Sequence, residues 1–183
     1  SELLLNGQQG LSFLSTPGAK EVGIEFNSLS KTYNLTGMRV SFALGNRDVI
    51  SRFRAFRSQI DYGMFYPIQA GAVAALTGPQ DIVARNRAGY MARRDALCGG
   101  LRRIGWDVPD AQGTMFVWAK IPEKYTSSVD FVIELMEKTG VICVPGSAFG
   151  AQGEGYVRFA LVVPPERMEQ AVRRIDESGM LKG

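Results

Sequence analysis

Ser28-Leu29-Ser30-Lys31-Thr32-Tyr33-Asn34-Leu35-Thr36-Gly37-Met38-Arg39 is a lysine set in a hydroxyl-rich connection between two apolar runs. The first run is Val22 to Phe26 and the second is Val40 to Leu44. Each has the length and side chains of a short buried strand. A lysine is unusual at such a junction, because its ammonium group is strongly hydrated. Arg39, eight residues further on, adds a second fixed cation.

The composition around this stretch is that of an ordinary globular chain. It has 183 residues, 45% of them apolar and 21% charged. That length supports one good core or one and a half small ones. No window approaches the roughly 18 uninterrupted apolar residues of a membrane span. The start, Ser1-Glu2-Leu3-Leu4-Leu5-Asn6, lacks the basic segment of a signal peptide. The net charge is only +3, and the pairs Arg93-Arg94, Arg102-Arg103 and Arg173-Arg174 lie in amphipathic segments. They read as solvated helix faces, so neither a nucleic-acid nor a membrane partner is expected.

Cys98 and Cys143 form neither a disulfide framework nor a CxxC motif. Both are expected in the core, in a reduced, cytoplasmic compartment. The chain contains no histidine. This excludes Ser-His-Asp and Cys-His catalysis and the common zinc sites, and no metal ligand set is expected. An enzyme built from these residues must use Lys, Tyr, Asp, Glu, Arg or a cofactor.

Along the chain, residues 1–21 read mostly as loop, broken by Gly7, Gly10, Pro17 and Gly18. After the Lys31 connection, Asn46 is placed to cap a helix with Val49, Ile50, Phe53 and Phe56 on one face. Asp61 to Pro67 is an aromatic loop, and an alanine-rich, buried helix is predicted over about 67–77. Gly78-Pro79 is the clearest boundary. A long helix follows to about Ile104, where Val83, Tyr90, Leu97 and Ile104 recur every seven residues and Gly105 ends the pattern. Strands are expected at Trp106 to Val108, Thr114 to Ile121, Val141 to Val144 and Tyr156 to Val163. Ser127 precedes a helix with Phe131, Val132, Leu135 and Met136 inward. Pro164-Pro165-Glu166 opens a last helix with Met168, Ala171, Val172 and Ile175 on one stripe. Residues 79–183 thus read as a small C-terminal α+β domain. Residues 1–78 offer two short strands and helices that need a sheet, and read as the tail of a larger α/β domain.

The chemistry of the opening stretch follows from its donors. An amine that attacks an aldehyde must be unprotonated, and burial or a neighbouring cation favours that form of lysine. A phosphate ester needs hydroxyl donors and a planar cation. Ser28, Ser30, Thr32 and Thr36 offer the hydroxyls, Arg39 offers the fork, and Gly37 admits close backbone approach. Lys31 is therefore read as the Schiff-base partner of pyridoxal 5'-phosphate, with Ser28 and Arg39 on the phosphate. Taken alone, Lys31 reads as a solvated surface lysine; the full pattern of strand, Ser-x-Ser-Lys, aromatic, Thr-Gly-x-Arg and strand carries the cofactor reading.

Residues 22–46 resemble the fold-type I pyridoxal-phosphate enzymes, and within them the class I/II aminotransferases, most of all the LL-diaminopimelate aminotransferase-like branch. A second resembling block runs from Val144-Pro145-Gly146-Ser147-Ala148-Phe149-Gly150 to Gly155-Tyr156-Val157-Arg158-Phe159-Ala160. The resemblance implies that Lys31 is the cofactor-bearing lysine and proton shuttle, that Ser28 and Arg39 contact the phosphate, and that Arg158 grips the substrate α-carboxylate. A lone charge in an apolar strand must be paired or face a ligand, so for Arg158 the other reading is a structural ion pair. The resemblance further implies that Asp61 to Pro67 reaches toward a partner subunit in a homodimer; a hydrophobic corner between helices is the equal alternative for this loop. It places Gly113-Thr114-Met115-Phe116 on the substrate side, although each of these residues taken singly reads as a plain strand start.

The resemblance covers the chain but only the C-terminal half of the family's length. The implied fold is α/β: the C-terminal part of a large cofactor-binding domain with an incomplete mixed sheet, at residues 1–78, plus the small α+β domain at 79–183. The aspartate that pairs with the pyridine nitrogen is expected before Ser1. The full-length parent is expected to transaminate an amino acid to a 2-oxo acid, and this chain alone to bind the cofactor weakly and be inactive. A β-lyase or decarboxylase of the same fold, and a non-catalytic binding or regulatory module, are the competing readings.

Overall fold

The structure, a computed structural model, describes residues 3–182. By internal contacts the chain divides into two compact units at the Arg87–Ala88 bond.

The first unit opens with a 3-10 turn, Phe13–Ser15, and a single helical turn, α1 (Ala19–Val22). Strand β1 (Ile24–Ser28) pairs antiparallel with β2 (Ser41–Gly45), in register from Ile24 opposite Gly45 to Ser28 opposite Ser41. Between them lie α2 (Leu29–Thr32) and a 3-10 turn, Thr36–Met38. Both strands start later than the apolar runs suggest. The Gly23 N–H bonds to the Ala19 carbonyl at 3.0 Å, so Val22 completes a helical turn instead of opening the strand. At the other end, a Cβ on Gly45 would strike the Gly23 carbonyl and lie 2.7 Å from the Ile24 Cα. Only glycine closes the ladder there.

Helix α3 (Arg47–Arg57) starts at Asn46, whose Oδ1 accepts from the Asp48 and Val49 N–H groups at 2.9 and 3.0 Å. Helix α4 (Tyr66–Thr77) follows the aromatic loop. Neither helix has a buried residue, and Phe56 is 64% exposed. The expected burial of the alanine-rich helix is thus not met. β1 and β2 form a sheet of only two strands, too little surface to cover two helices. Buried residues in this unit include Leu29, Val40 and Val83.

Helix α5 (Asp81–Arg103) runs through the boundary between the units. Of its heptad, Val83, Tyr90 and Leu97 are buried, as is Leu101, and Ile104 is half-buried just past the helix end. The second unit has a three-stranded antiparallel sheet in the order β3 (Phe116–Lys120), β5 (Tyr156–Ala160), β4 (Val144–Pro145). Helices α6 (Ser128–Thr139) and α7 (Pro165–Glu177) complete it. Ser127 caps α6 as expected, accepting from the Asp130 N–H at 3.2 Å. Phe131, Leu135, Val157, Leu161 and Ile175 are fully buried, as is Cys98, and Cys143 is nearly so.

Several sequence expectations shift here. Trp106 to Val108 is not a strand: the Trp106 N–H closes the end of α5 on the Leu101 carbonyl, and Arg102 takes the Val108 carbonyl. The Trp106 ring packs edge-on against Phe131 and Phe159 at 5.3 and 5.7 Å. β4 keeps only Val144 and Pro145, because the Val141 N–H is taken by the Thr139 hydroxyl. β5 stops at Ala160, since its partner begins only at Phe116, and Val162 and Val163 are exposed. On α6 the inward positions are Phe131, Leu135 and Thr139, while Met136 is 43% exposed. Among the described residues, no helix is long and apolar enough to cross a membrane.

Candidate active site

Lys31 stands on α2, a single helical turn between the strands of the first unit. Ser28 is the N-cap of that turn. Its Oγ accepts from the Ser30 N–H at 3.2 Å and lies 3.0 Å from the Ser30 hydroxyl. A serine serves here because its short side chain reaches the open N–H groups of the first turn. Lys31 is exposed and has no hydrogen bond or ion pair among the described residues. The expected burial is therefore not met at Lys31 itself, although Leu29 and Val40 beside it are buried.

The turn is held instead by polar contacts. The Thr36 hydroxyl donates to the Ser30 carbonyl at 3.1 Å. The Tyr33 hydroxyl donates to Gln80 Oε1 at 2.8 Å. Asn86 donates to the Thr32 carbonyl at 3.1 Å and accepts from the Asn34 amide at 3.0 Å. Asn34 and Arg39 both adopt the left-handed conformation, with φ of 56° and 50°. For Arg39 this is uncommon backbone, and it turns the chain sharply into β2. Its Nη1 donates to the Thr36 carbonyl at 3.2 Å, and it makes no ion pair among the described residues. Arg39 also lines a shallow cleft of about 280 Å³ with Phe26, Ser41, Phe53 and Met64. A Cβ on Gly37 would meet open space.

Arg158 lies on β5, the central strand of the second unit, opposite Trp118 of β3 and Val144 of β4. Alternation sends Val157 and Phe159 into the core and Tyr156 and Arg158 to the other face. No carboxylate pairs with Arg158 among the described residues. The guanidinium lies instead against two rings, with Cζ 4.2 Å from the centre of Phe116 and 4.4 Å from that of Phe149. Its Nε is buried and has no acceptor. Leaving such a donor unpaired costs about 1–3 kcal/mol. Each cation–π contact returns roughly 0.5–2 kcal/mol, so the arrangement is sustainable without an anion.

Phe149 is carried by the 3-10 turn Gly146–Phe149. That turn packs on the next one, Ala151–Gly153, so tightly that a Cβ on Gly146 would overlap the Gly153 carbonyl, and the reverse holds too. Glu154 completes the corner by accepting from the Ser128 and Gly155 N–H groups at 2.6 and 2.8 Å. Phe116, opposite Ala160, was legible in the sequence only as part of a substrate-side segment. The ring contacts to Arg158 and the Asn86 and Gln80 tethers went unread. Arg158 lies 42 positions from Phe116 and nine from Phe149, across two turns, and the tethers around Lys31 join residues 47–54 apart, so no helix or strand period shows them.

So the structure gathers Ser28, Lys31 and Arg39 on one connection, and sets Arg158 in the other unit. In the Asp61 to Pro67 loop, Tyr62, Phe65 and Tyr66 are largely exposed, as expected.

A family model described as aminotransferase class I and II matches residues 8–175. The chain belongs to this family. The resemblance drawn from residues 22–46 and 144–160 is borne out, including its branch. An LL-diaminopimelate aminotransferase of Dehalococcoides mccartyi is 46% identical over 175 residues, covering 96% of this chain and 45% of that protein. One from Halothermothrix orenii is 47% identical over 178 residues, covering 97% and 46%. Among solved structures, apo-BacF from Bacillus subtilis matches with a TM-score of 0.89 at 34% identity, over 95% of this chain and 47% of that one. An aromatic aminotransferase from Pyrococcus horikoshii gives 0.91 at 28% identity, over 98% and 48%. This chain is thus α/β with the class I/II aminotransferase fold, and it spans about half the length of the relatives it matches.

Proposed function

We propose that the full-length protein transaminates an amino acid to a 2-oxo acid with pyridoxal 5'-phosphate as cofactor, and that it acts as a homodimer in a reducing, cytoplasmic compartment. In this reading residues 1–78 are the tail of the large cofactor-binding domain and residues 79–183 the small domain. The observation that carries it is that Lys31, Arg39 and Arg158 have no acidic partner among the described residues. Three cations left unneutralised, two of them on the one connection between β1 and β2, suit anionic ligands better than a structural role.

The donor set fits the cofactor. Ser28 and Arg39 bring a hydroxyl and a planar cation to one connection, which suits a phosphate ester, and Arg39 keeps its terminal nitrogens clear of carboxylates. The exposed Lys31 amine is available for covalent attachment. When bound, the cofactor supplies an electron sink for the charge left after α-proton removal. Lys31 Nζ then takes the proton from the substrate α-carbon and delivers it onward. Arg158 binds the α-carboxylate and fixes the orientation of the breaking C–H bond. Family relatives named LL-diaminopimelate aminotransferase make that amino acid the first donor to assay.

Borohydride reduction of the full-length protein, followed by peptide mass mapping, tests the assignment. The pyridoxyl mass is expected on the peptide containing Lys31. Lys31→Ala should remove it and lower transamination by roughly 10⁴-fold or more. Pyridoxyl label at another lysine overturns the reading. Ammonia and pyruvate formed without a 2-oxo acid acceptor would turn it into a lyase.

A further inference from the structure

Arg158 is held in a way that decides which of its donors can meet an anion. Its Nε is buried without an acceptor, and no hydrogen bond or ion pair engages the terminal nitrogens among the described residues. Phe116 and Phe149 approach the guanidinium to 4.2 and 4.4 Å yet make no ring contact with each other, so each grips it separately. The backbone of Phe116 and the ring of Phe149 are themselves held. The Phe116 N–H bonds to the Thr114 hydroxyl at 3.1 Å, and Phe116 sits in the β3–β5 ladder opposite Ala160. Phe149 meets Trp118 edge-on at 5.6 Å, and Trp118 stacks on Tyr156 at 5.6 Å and 17°.

We propose that Phe116 and Phe149 are positioning residues for carboxylate recognition, fixing the plane of Arg158 so that a carboxylate meets its two terminal nitrogens. The proposal rests on the reading of Arg158 as the carboxylate site. A carboxylate is best bound by two parallel N–H donors in one plane. Arginine's long side chain has many rotamers, and ordering it on binding lowers affinity. The two rings order it beforehand. They also turn Nε inward, which removes the side-on geometry and leaves the end-on fork.

The test uses the full-length protein in cofactor-free form, with 2-oxoglutarate as the carboxylate probe in isothermal titration. Phe116→Leu and Phe149→Leu keep apolar bulk and remove the ring face. Each is expected to weaken binding about fivefold to twentyfold. Phe116→Tyr and Phe149→Tyr should stay within about twofold of the parent. In ¹⁵N-arginine-labelled protein, the Arg158 Hε resonance should be shifted upfield by the rings and slow to exchange, and the Leu variants should lose the shift. In the cofactor-loaded protein the Leu variants should raise KM far more than they lower kcat. Leu variants that bind within twofold of the parent, or Tyr variants as weak as Leu, overturn the clamp. If Arg158→Gln binds the probe unchanged, the carboxylate reading itself fails, which is a separate outcome.

Discussion

Lys31 stands exposed on a four-residue helical turn, tethered by side-chain amides and hydroxyls, whereas Arg158 stands mid-strand between two aromatic rings on a sheet with a packed core beneath it. The two units differ in the same sense throughout. In the second, three strands and the helices α6 and α7 bury Phe131, Leu135, Val157 and Ile175 completely. In the first, two strands leave α3 and α4 without a buried residue. A cation in the second unit is placed by packing, which resists displacement by many close contacts at once. A cation in the first is placed by individual hydrogen bonds, each worth only about 0.5–1.5 kcal/mol.

The contrast can be broken most directly in the cores. Phe131→Ala in the second unit is expected to cost about 3–5 kcal/mol in denaturant unfolding of the 183-residue chain. Phe56→Ala on α3 should change it by no more than about 0.5 kcal/mol. Comparable losses at the two positions would erase the distinction between the units.

Helix caps sharpen it. Ser127 caps the twelve residues of α6, and Ser28 caps the four of α2. Ser127→Ala should cost about 1 kcal/mol, and Ser28→Ala only a few tenths, because a single turn adds little cooperative structure. The difference is measurable as the shift in urea midpoint, and a reversed order would show that the Lys31 turn is the more tightly coupled element.

Acid provides the smallest and most specific effect. The Glu154 carboxyl is held below the usual carboxylate range by the Gly155 N–H and then by the Ser128 N–H. Its folded pKa is therefore lower than its unfolded one. Its contribution to stability is complete above the unfolded value of about 4.3 and disappears as pH falls through the folded value. Glu154→Gln should lower the denaturation midpoint near neutral pH and converge with the parent in strong acid. A gap that persists in acid would assign the effect to packing at the corner and not to charge. No such lever acts through Cys143, whose thiol burial pushes up to about 12, so it should resist alkylation until the chain unfolds.

Much of the fold was legible because it is local. Asn46 and Ser127 cap the helices they precede. The heptad on α5 and the stripe on α7 bury Tyr90, Leu97, Met168, Val172 and Ile175. Legibility failed where backbone partners lie far away. Trp106 to Val108 has strand-like side chains, but its polar groups go to a helix end and to Arg102. The alanine-rich α4 looks like a buried helix, yet burial needs a facing surface that two strands do not supply.

The sequence by itself determined which residues are the candidates for the chemistry. A chain without histidine that places Lys31 between Ser28 and Arg39, and an arginine in an apolar strand, leaves few alternatives, since residue type sets charge and donor geometry. Only the tertiary structure decided how those groups are held. It left Lys31 exposed on a hydrogen-bonded turn, and for Arg158 it supplied Phe116 and Phe149 and no acid among the described residues. The reason is that residue type is a property of one position. Whether a charge is paired, buried or stacked depends on which distant strands and turns the fold brings beside it.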